Sequence, residues 1–299
     1  MAANKWIRER PLHLMMFLPL VLLVVFSYIP MFGIIIAFQK YYPSKGFFNS
    51  EFIGWSNFTY MTQIPFVLQA VWNTIIIATM KMVVGATLPI FVAVLLNEVR
   101  QRLIRAGIQT LIYLPHFLSW VILSGILIDI LSTKGIVNSF LSYVFGNEPI
   151  FFLGDNRWFR YILVLSDSWK EFGFSTIVYM AAIAGVNPAL YESAMMDGAN
   201  RWKQALYITL PGMLPIIVLL ATLSLGNVLN AGFDQVFNLY NPAVYETGDI
   251  IDTMIYRMGL VDMKYGLSTA VGLFKSVISL ILISLSYLLA YRFANYRIF

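Results

Sequence analysis

Residues 67–96 read VLQAVWNTIIIATMKMVVGATLPIFVAVLL, thirty residues with one formal charge, Lys81. A helix rises about 1.5 Å per residue, so about 20 residues cross a hydrocarbon core of about 30 Å. This run crosses with length left for tilt or for extension out of the bilayer. Five further apolar runs lie at 12–38, 108–131, 161–185, 213–232 and 267–291. The expected fold is all-α: a polytopic membrane protein with six transmembrane helices in one domain across 1–299. The fourth run fits least well, because Asp167, Lys170 and Glu171 interrupt it.

Composition supports this reading. Hydrophobic residues make up 59% of the 299 and charged residues 12%, against about 45–50% and about 25% in soluble domains. Cysteine is absent, which excludes disulfides and thiolate metal sites. His13 and His116 stand alone in sequence and read as helix-end residues, not ligands. Lys5, Arg8 and Arg10 precede the first run as in a secretion signal. That run exceeds the roughly 7–15 residues of a signal core, and no small-x-small cleavage site follows. It reads as a retained span bent at Pro19 and Pro30, which neighbouring helices make tolerable.

The formal charge of +5 does not imply nucleic acid, since basic residues gather at the cytoplasmic ends of spans. Ten of them, Lys5, Arg8, Arg10, Arg100, Arg102, Arg105, Arg201, Lys203, Arg292 and Arg297, fall in the short segments on one side. Seven, Lys40, Lys45, Lys134, Arg157, Arg160, Arg257 and Lys264, fall in longer segments on the other. With an even number of spans, both termini are expected in the cytoplasm. The loops near 40–66, 132–160 and 233–266 then face outward. They are rich in aromatics, Gly and Pro and read as folded, partner-binding loops.

The segment 187–211 is the most informative loop. Asn187 suits an N-cap and Pro188 the first helical position. Glu192 and Asp197 mix with Leu190, Ala194 and Met195, so a short amphipathic helix is expected. Gly198 permits its end or a sharp turn. Composition alone does not separate a force-receiving helix from an interfacial anchor.

The spacing is more specific. Glu192-Ser193-Ala194, three residues, Gly198, nine residues, then Ile208-Thr209-Leu210-Pro211 resembles the signature EAA-x3-G-x9-I-x-L-P of importer permeases driven by ATP-binding-cassette subunits. Ser193 stands where alanine is usual. Ile29-Pro30-Met31-Phe32-Gly33, Asn97-Glu98-Val99-Arg100, Tyr113 to Trp120, Trp169-Lys170-Glu171 and Gly272 to Ser276 resemble the polysaccharide and alginate-type branch of the carbohydrate class, related to the maltose system. The resemblance implies a bacterial inner-membrane complex of two permeases, the second a distinct homologue, on an ATPase homodimer. An extracytoplasmic sugar-binding protein would feed it. It also implies that Glu192, Ser193, Ala194, Asp197 and Gly198 seat the loop helix on the ATPase.

This chain carries no nucleotide motif of its own. A P-loop needs G-x-x-x-x-G-K-S/T. In Gly272-Leu273-Phe274-Lys275-Ser276 a phenylalanine takes the second glycine's place, inside an apolar run. No catalytic set or metal cluster stands out. The expectation is therefore no cofactor here and no enzyme activity, with ATP and Mg held by the partner ATPase.

Ionisable residues within the runs are Lys81, Asp129, Asp167, Lys170, Glu171 and Lys275. Such residues face protein or water. Asp167, Lys170 and Glu171 share one helical face, which fits either mutual neutralisation or a polar pathway. Sugars present apolar faces edged by hydroxyls, which aromatic rings and amides or carboxylates recognise. Trp120, Trp169, Lys170, Asn227, Asn230 and Asp234 are the candidate pathway residues, the last three at helical spacing near the fifth run's outer end. An ion-gradient-driven secondary transporter is the alternative, suggested by the intramembrane charges; it leaves the 187–211 signature unexplained. A membrane enzyme acting on lipid-linked sugar lacks the clustered interfacial acids it would need.

Overall fold

The computed structural model describes residues 2–146 and 148–294. Arg297 lies outside the described residues, as do the side chains of Lys5, Arg8 and Arg292. Helices dominate: α1 (Ala2–Leu23), α2 (Ser56–Gln63), α3 (Pro65–Glu98), α4 (Arg102–Tyr113), α5 (Trp120–Leu131), α6 (Ile136–Phe145), α7 (Phe159–Ala184), α8 (Pro188–Met196), α9 (Leu210–Gly226), α10 (Phe233–Leu239) and α11 (Tyr265–Ala294). The strands among the described residues are β1 (Gln39–Lys40) and β2 (Glu51–Phe52), paired antiparallel. Among the described residues, five helical stretches are long and apolar enough to cross a membrane, six when the bent pair α7–α8 counts as one. The all-α polytopic expectation holds.

The chain forms two compact units, 1–64 with 255–274, and 65–254 with 275–299. In the first, α1 continues through a π-helical turn Val24–Tyr28 and a short Ile29–Met31 helix, then tightens to a 3₁₀ stretch Phe32–Phe38. Pro30 has no N–H to give, and its ring crowds the carbonyl four residues back. The ladder widens just before it. β1 and β2 then pair Gln39 with Phe52 and Lys40 with Glu51. Asn57 Nδ2 donates to the Ala37 carbonyl at 2.8 Å, tying α2 to this ribbon.

In the second unit, α3 packs along α7, and α9 and α4 pack on α7 in turn. Gly173 makes the α4–α7 approach possible, because a β-carbon there would lie 1.9 Å from the Ile112 carbonyl oxygen. Ile77, Phe159, Leu163, Val236 and Ile250 form one buried cluster. Ala93, Tyr179, Ile183 and Met213 form another toward the opposite helix ends.

Two expected runs differ from the helices found. The run 108–131 is broken: α4 stops at Tyr113, a 3₁₀ turn occupies Leu114–Phe117, and Ser119 caps α5 by accepting from Ile122 N–H. Pro115 lacks a donor and Ser119 offers a cap, so two helices replace one. The long apolar stretch here runs Trp120–Phe145. The run 213–232 is displaced toward the N-terminus. Helix α9 ends at Gly226, and the continuous helical stretch is Arg201–Gly226.

Candidate functional site

Two features of the second unit unite chemistry with position. The first is an open cavity of about 490 Å³ walled by α3, α7, α9 and the turn that follows α9. Lys81 on α3 supplies the cation. Its Nζ lies 3.2 Å from Asp167 Oδ1 on α7 and donates to the Ala231 carbonyl at 2.8 Å. It also contacts Gln235 Oε1. The Lys81 side chain is 9% exposed and that of Asp167 26%. Such a pair needs close partners to offset lost hydration, and the carbonyl and amide provide them.

Gln235, fully buried, is the residue that sequence reasoning missed. Its Nε2 donates to the Leu163 carbonyl at 2.8 Å and to Ser166 Oγ at 2.7 Å. That leaves its oxygen for Lys81. Its sequence gives little signal, since Asp234 and Asn238 share the same short helix.

Asn227 and Asn230 both line this cavity, together with Asp167 and Glu171. They do not sit on one helix with Asp234, as their spacing suggested. Asn227 caps α9, and Asn230 lies in the turn that Gly232 reverses with φ +90°. Asp234 falls in the first turn of α10 and is exposed. The other candidates lie apart. Lys170 is buried, donates to the His116 carbonyl at 2.7 Å and stands 5.9 Å from the Trp120 ring centre. Trp169 is exposed on α7. Asp167, Lys170 and Glu171 thus divide. Glu171 meets His116 Nδ1 at 2.8 Å and Lys170 Nζ at 3.3 Å, whereas Asp167 pairs across to α3. Lys275 pairs with Asp252, and Asp129 is exposed near the end of α5.

The second feature is the segment after α7. α8 leaves α7 at a 71° bend. Asn187 caps it, accepting from Ala189 N–H at 3.0 Å. Gly198, at φ +74°, ends it. The Ala199 N–H reaches back to the Ala194 carbonyl at 2.8 Å and Gly198 N–H to Met195 at 3.1 Å, the paired bonds of a Schellman stop. Arg201 Nη1 meets Glu98 Oε2 at 2.6 Å, linking the loop to the end of α3. Tyr191 Oη lies 3.0 Å from Thr209 Oγ1 at the root of α9. Leu190, Met195, Met196 and Trp202 remain exposed, Met196 at 89%. Glu192, Ser193 and Asp197 are also exposed, and Ala194 is half-buried. The helix is held at both ends and presents an apolar surface between.

Residues 85–295 match the family described as binding-protein-dependent transport system inner membrane component. The chain is 40% identical to the polygalacturonan/rhamnogalacturonan transport system permease protein YteP of Bacillus subtilis, over 99% of this chain and 92% of that one. It is also 40% identical to protein LplB of the same organism, over 95% and 88%. Its structure resembles that of a bacterial transporter with an ATP-binding cassette, involved in the import of the acidic polysaccharide alginate. The TM-score is 0.90 at 37% identity, covering 98% of this chain and 99% of the other.

Proposed function

The chain belongs to the family of binding-protein-dependent transport system inner membrane components, and on that premise we propose that it is the permease subunit of an ATP-driven importer of an oligosaccharide or polysaccharide fragment. It works by alternating access in the bacterial inner membrane, with both termini cytoplasmic. The observation that carries this reading is the geometry of α8. A short helix, hinged at 71° to α7 and tied to α3 and α9, exposes apolar side chains where a soluble partner can push. Glu192, Ser193, Ala194, Asp197 and Gly198 form the seat on the ATPase, which binds ATP and Mg. ATP-driven closure of the ATPase homodimer moves α8, and α3, α7 and α9 reorient around the cavity.

Asn227 and Asn230 offer amides to sugar hydroxyls along that cavity. A second, distinct permease completes the pathway, and an extracytoplasmic sugar-binding protein delivers the cargo. One relative is a polygalacturonan/rhamnogalacturonan permease and the similar solved transporter is involved in import of the acidic polysaccharide alginate, which supports an acidic sugar chain as the cargo. An ion-gradient-driven transporter would use the Lys81–Asp167 pair but has no use for an exposed α8. The deciding experiment is purification from native membranes. Co-elution of an ATPase subunit that is lost when Met195 and Met196 are changed to Glu supports the importer; a chain that purifies without any ATPase and transports alone contradicts it.

A further inference from the structure

The first unit holds a second pocket, of about 280 Å³, that the transport cycle described above does not use. That is close to the lower end of the roughly 300–1,000 Å³ typical of ligand pockets. Its wall combines three kinds of group. Tyr41, Tyr42, Tyr60 and Tyr265 are its aromatic residues. Lys40 and Lys264 supply ammonium groups that, among the described residues, make no hydrogen bond or ion pair. Gln39 is 95% buried by its 5% exposure, and its Oε1 has no hydrogen-bond partner among the described residues. Its Nε2 is held by the Phe47 carbonyl at 2.8 Å, so the amide cannot turn to relieve the oxygen without losing that bond. A buried acceptor left unmet costs about 1–3 kcal/mol.

The backbone around the pocket is set for close approach. Gly266 admits no side chain, since a β-carbon there would lie 2.6 Å from the Gln39 carbonyl oxygen and 2.8 Å from Asn57 Nδ2. Met263, in the pocket wall, is the one non-glycine residue with positive φ among those described, at +56°. Such strain gathers at ligand sites. The helix α11 begins at Tyr265, and its first bond of the ladder is Ser268 N–H to the Lys264 carbonyl at 3.0 Å. The amides of residues 265–267 precede it, at the positive end of a 30-residue helix, where a carboxylate is favoured.

We propose that this pocket is an entry subsite for one carboxylated sugar residue, a uronate, of the incoming chain. The tyrosines lie against the sugar's C–H faces, and Lys40, Lys264 and the start of α11 hold the carboxylate. Among the described residues its lining carries no acidic side chain, which sets it apart from the cavity walled by Asp167 and Glu171. The proposal rests on the sugar-import reading and its outward placement of residues 40–66.

The test is equilibrium dialysis of radiolabelled trigalacturonate against the purified whole complex in detergent, without the binding protein. Neutral galactotriose is the comparison. Saturable binding of trigalacturonate is expected, weakened about tenfold or more by Lys40→Gln with Lys264→Gln, whereas galactotriose binds less tightly and is little affected. Lys134→Gln, at an exposed lysine of the second unit and outside the pocket wall, should leave trigalacturonate binding unchanged. No saturable binding, or equal affinity in the double variant, overturns the proposal. ATP-driven uptake in proteoliposomes reports separately on the import reading. Lysine-dependent binding without any such uptake would uphold the pocket and remove that reading.

Discussion

Lys81 Nζ lies 3.2 Å from Asp167 Oδ1, joining α3 to α7 where both wall the cavity of the second unit. The same ammonium holds the Ala231 carbonyl and Gln235. One charge therefore fixes two long helices and the turn that carries Asn230.

Breaking this pair should cost more than replacing it. Lys81→Met leaves Asp167 without its cation; the loss is about 3–5 kcal/mol for a fully buried pair and smaller here, where Asp167 is 26% exposed. Lys81→Met with Asp167→Asn removes both charges and should recover much of it. Thermal unfolding of the complex in detergent, followed by size-exclusion profile after heating, checks the order: wild type, then double variant, then Lys81→Met. A double variant no more stable than the single would show that the charge pairing is not what holds these helices.

Asn227 and Asn230 are expected to touch the cargo, because both line the cavity and both are exposed to it. Asn227→Leu or Asn230→Leu should lower uptake several-fold, at about 0.5–1.5 kcal/mol per lost hydrogen bond, while assembly and basal ATP hydrolysis stay near wild type. Full uptake by the double variant would remove them from the pathway.

The orientation predicts which loops an impermeant thiol reagent reaches in intact cells. The chain has no cysteine, so single substitutions report cleanly. Ser44→Cys and Ala243→Cys, both at exposed positions, should label, and Gln101→Cys should not. Ser50 and Asn241 are poorer probes, since Ser50 is buried and donates to the Gly46 carbonyl at 2.7 Å, and Asn241 holds the Leu153 carbonyl at 2.8 Å. Strong labelling at position 101 would reverse the topology.

What the sequence made legible follows from which interactions are local. Apolar length alone marks residues 67–96 as a helix, because crossing a bilayer is a demand each segment meets by itself. Asn187, Pro188 and Gly198 announce the start and stop of α8, since caps are settled within a few residues. The break after Tyr113 was within reach of the same reasoning, as Pro115 and Ser119 stand in plain sight, but the apolar run around them masked it. Gln235 was not legible. Its partners Leu163, Ser166 and Lys81 lie far away in the chain, and only packing brings them together. Asn227, Asn230 and Asp234 keep helical spacing through a segment that is not helical. Two of them meet at the cavity through a turn that Gly232 reverses.

The proposed coupling of α8 to the ATPase is most open to test at Gly198. Nothing lies within 4 Å of a β-carbon placed on Gly198, so within this chain the obstacle to a side chain is its φ of +74°. A left-handed residue other than glycine costs about 1–2 kcal/mol, and Asn bears it better than Leu. The measurement is ATP hydrolysis and sugar accumulation, side by side, in liposomes carrying the whole complex, with assembly followed by co-purification. Gly198→Leu should assemble yet lose substrate-stimulated hydrolysis and uptake together, with Gly198→Asn milder in both. A Gly198→Leu complex that assembles normally and matches wild type in both rates would contradict α8 as the mechanical link.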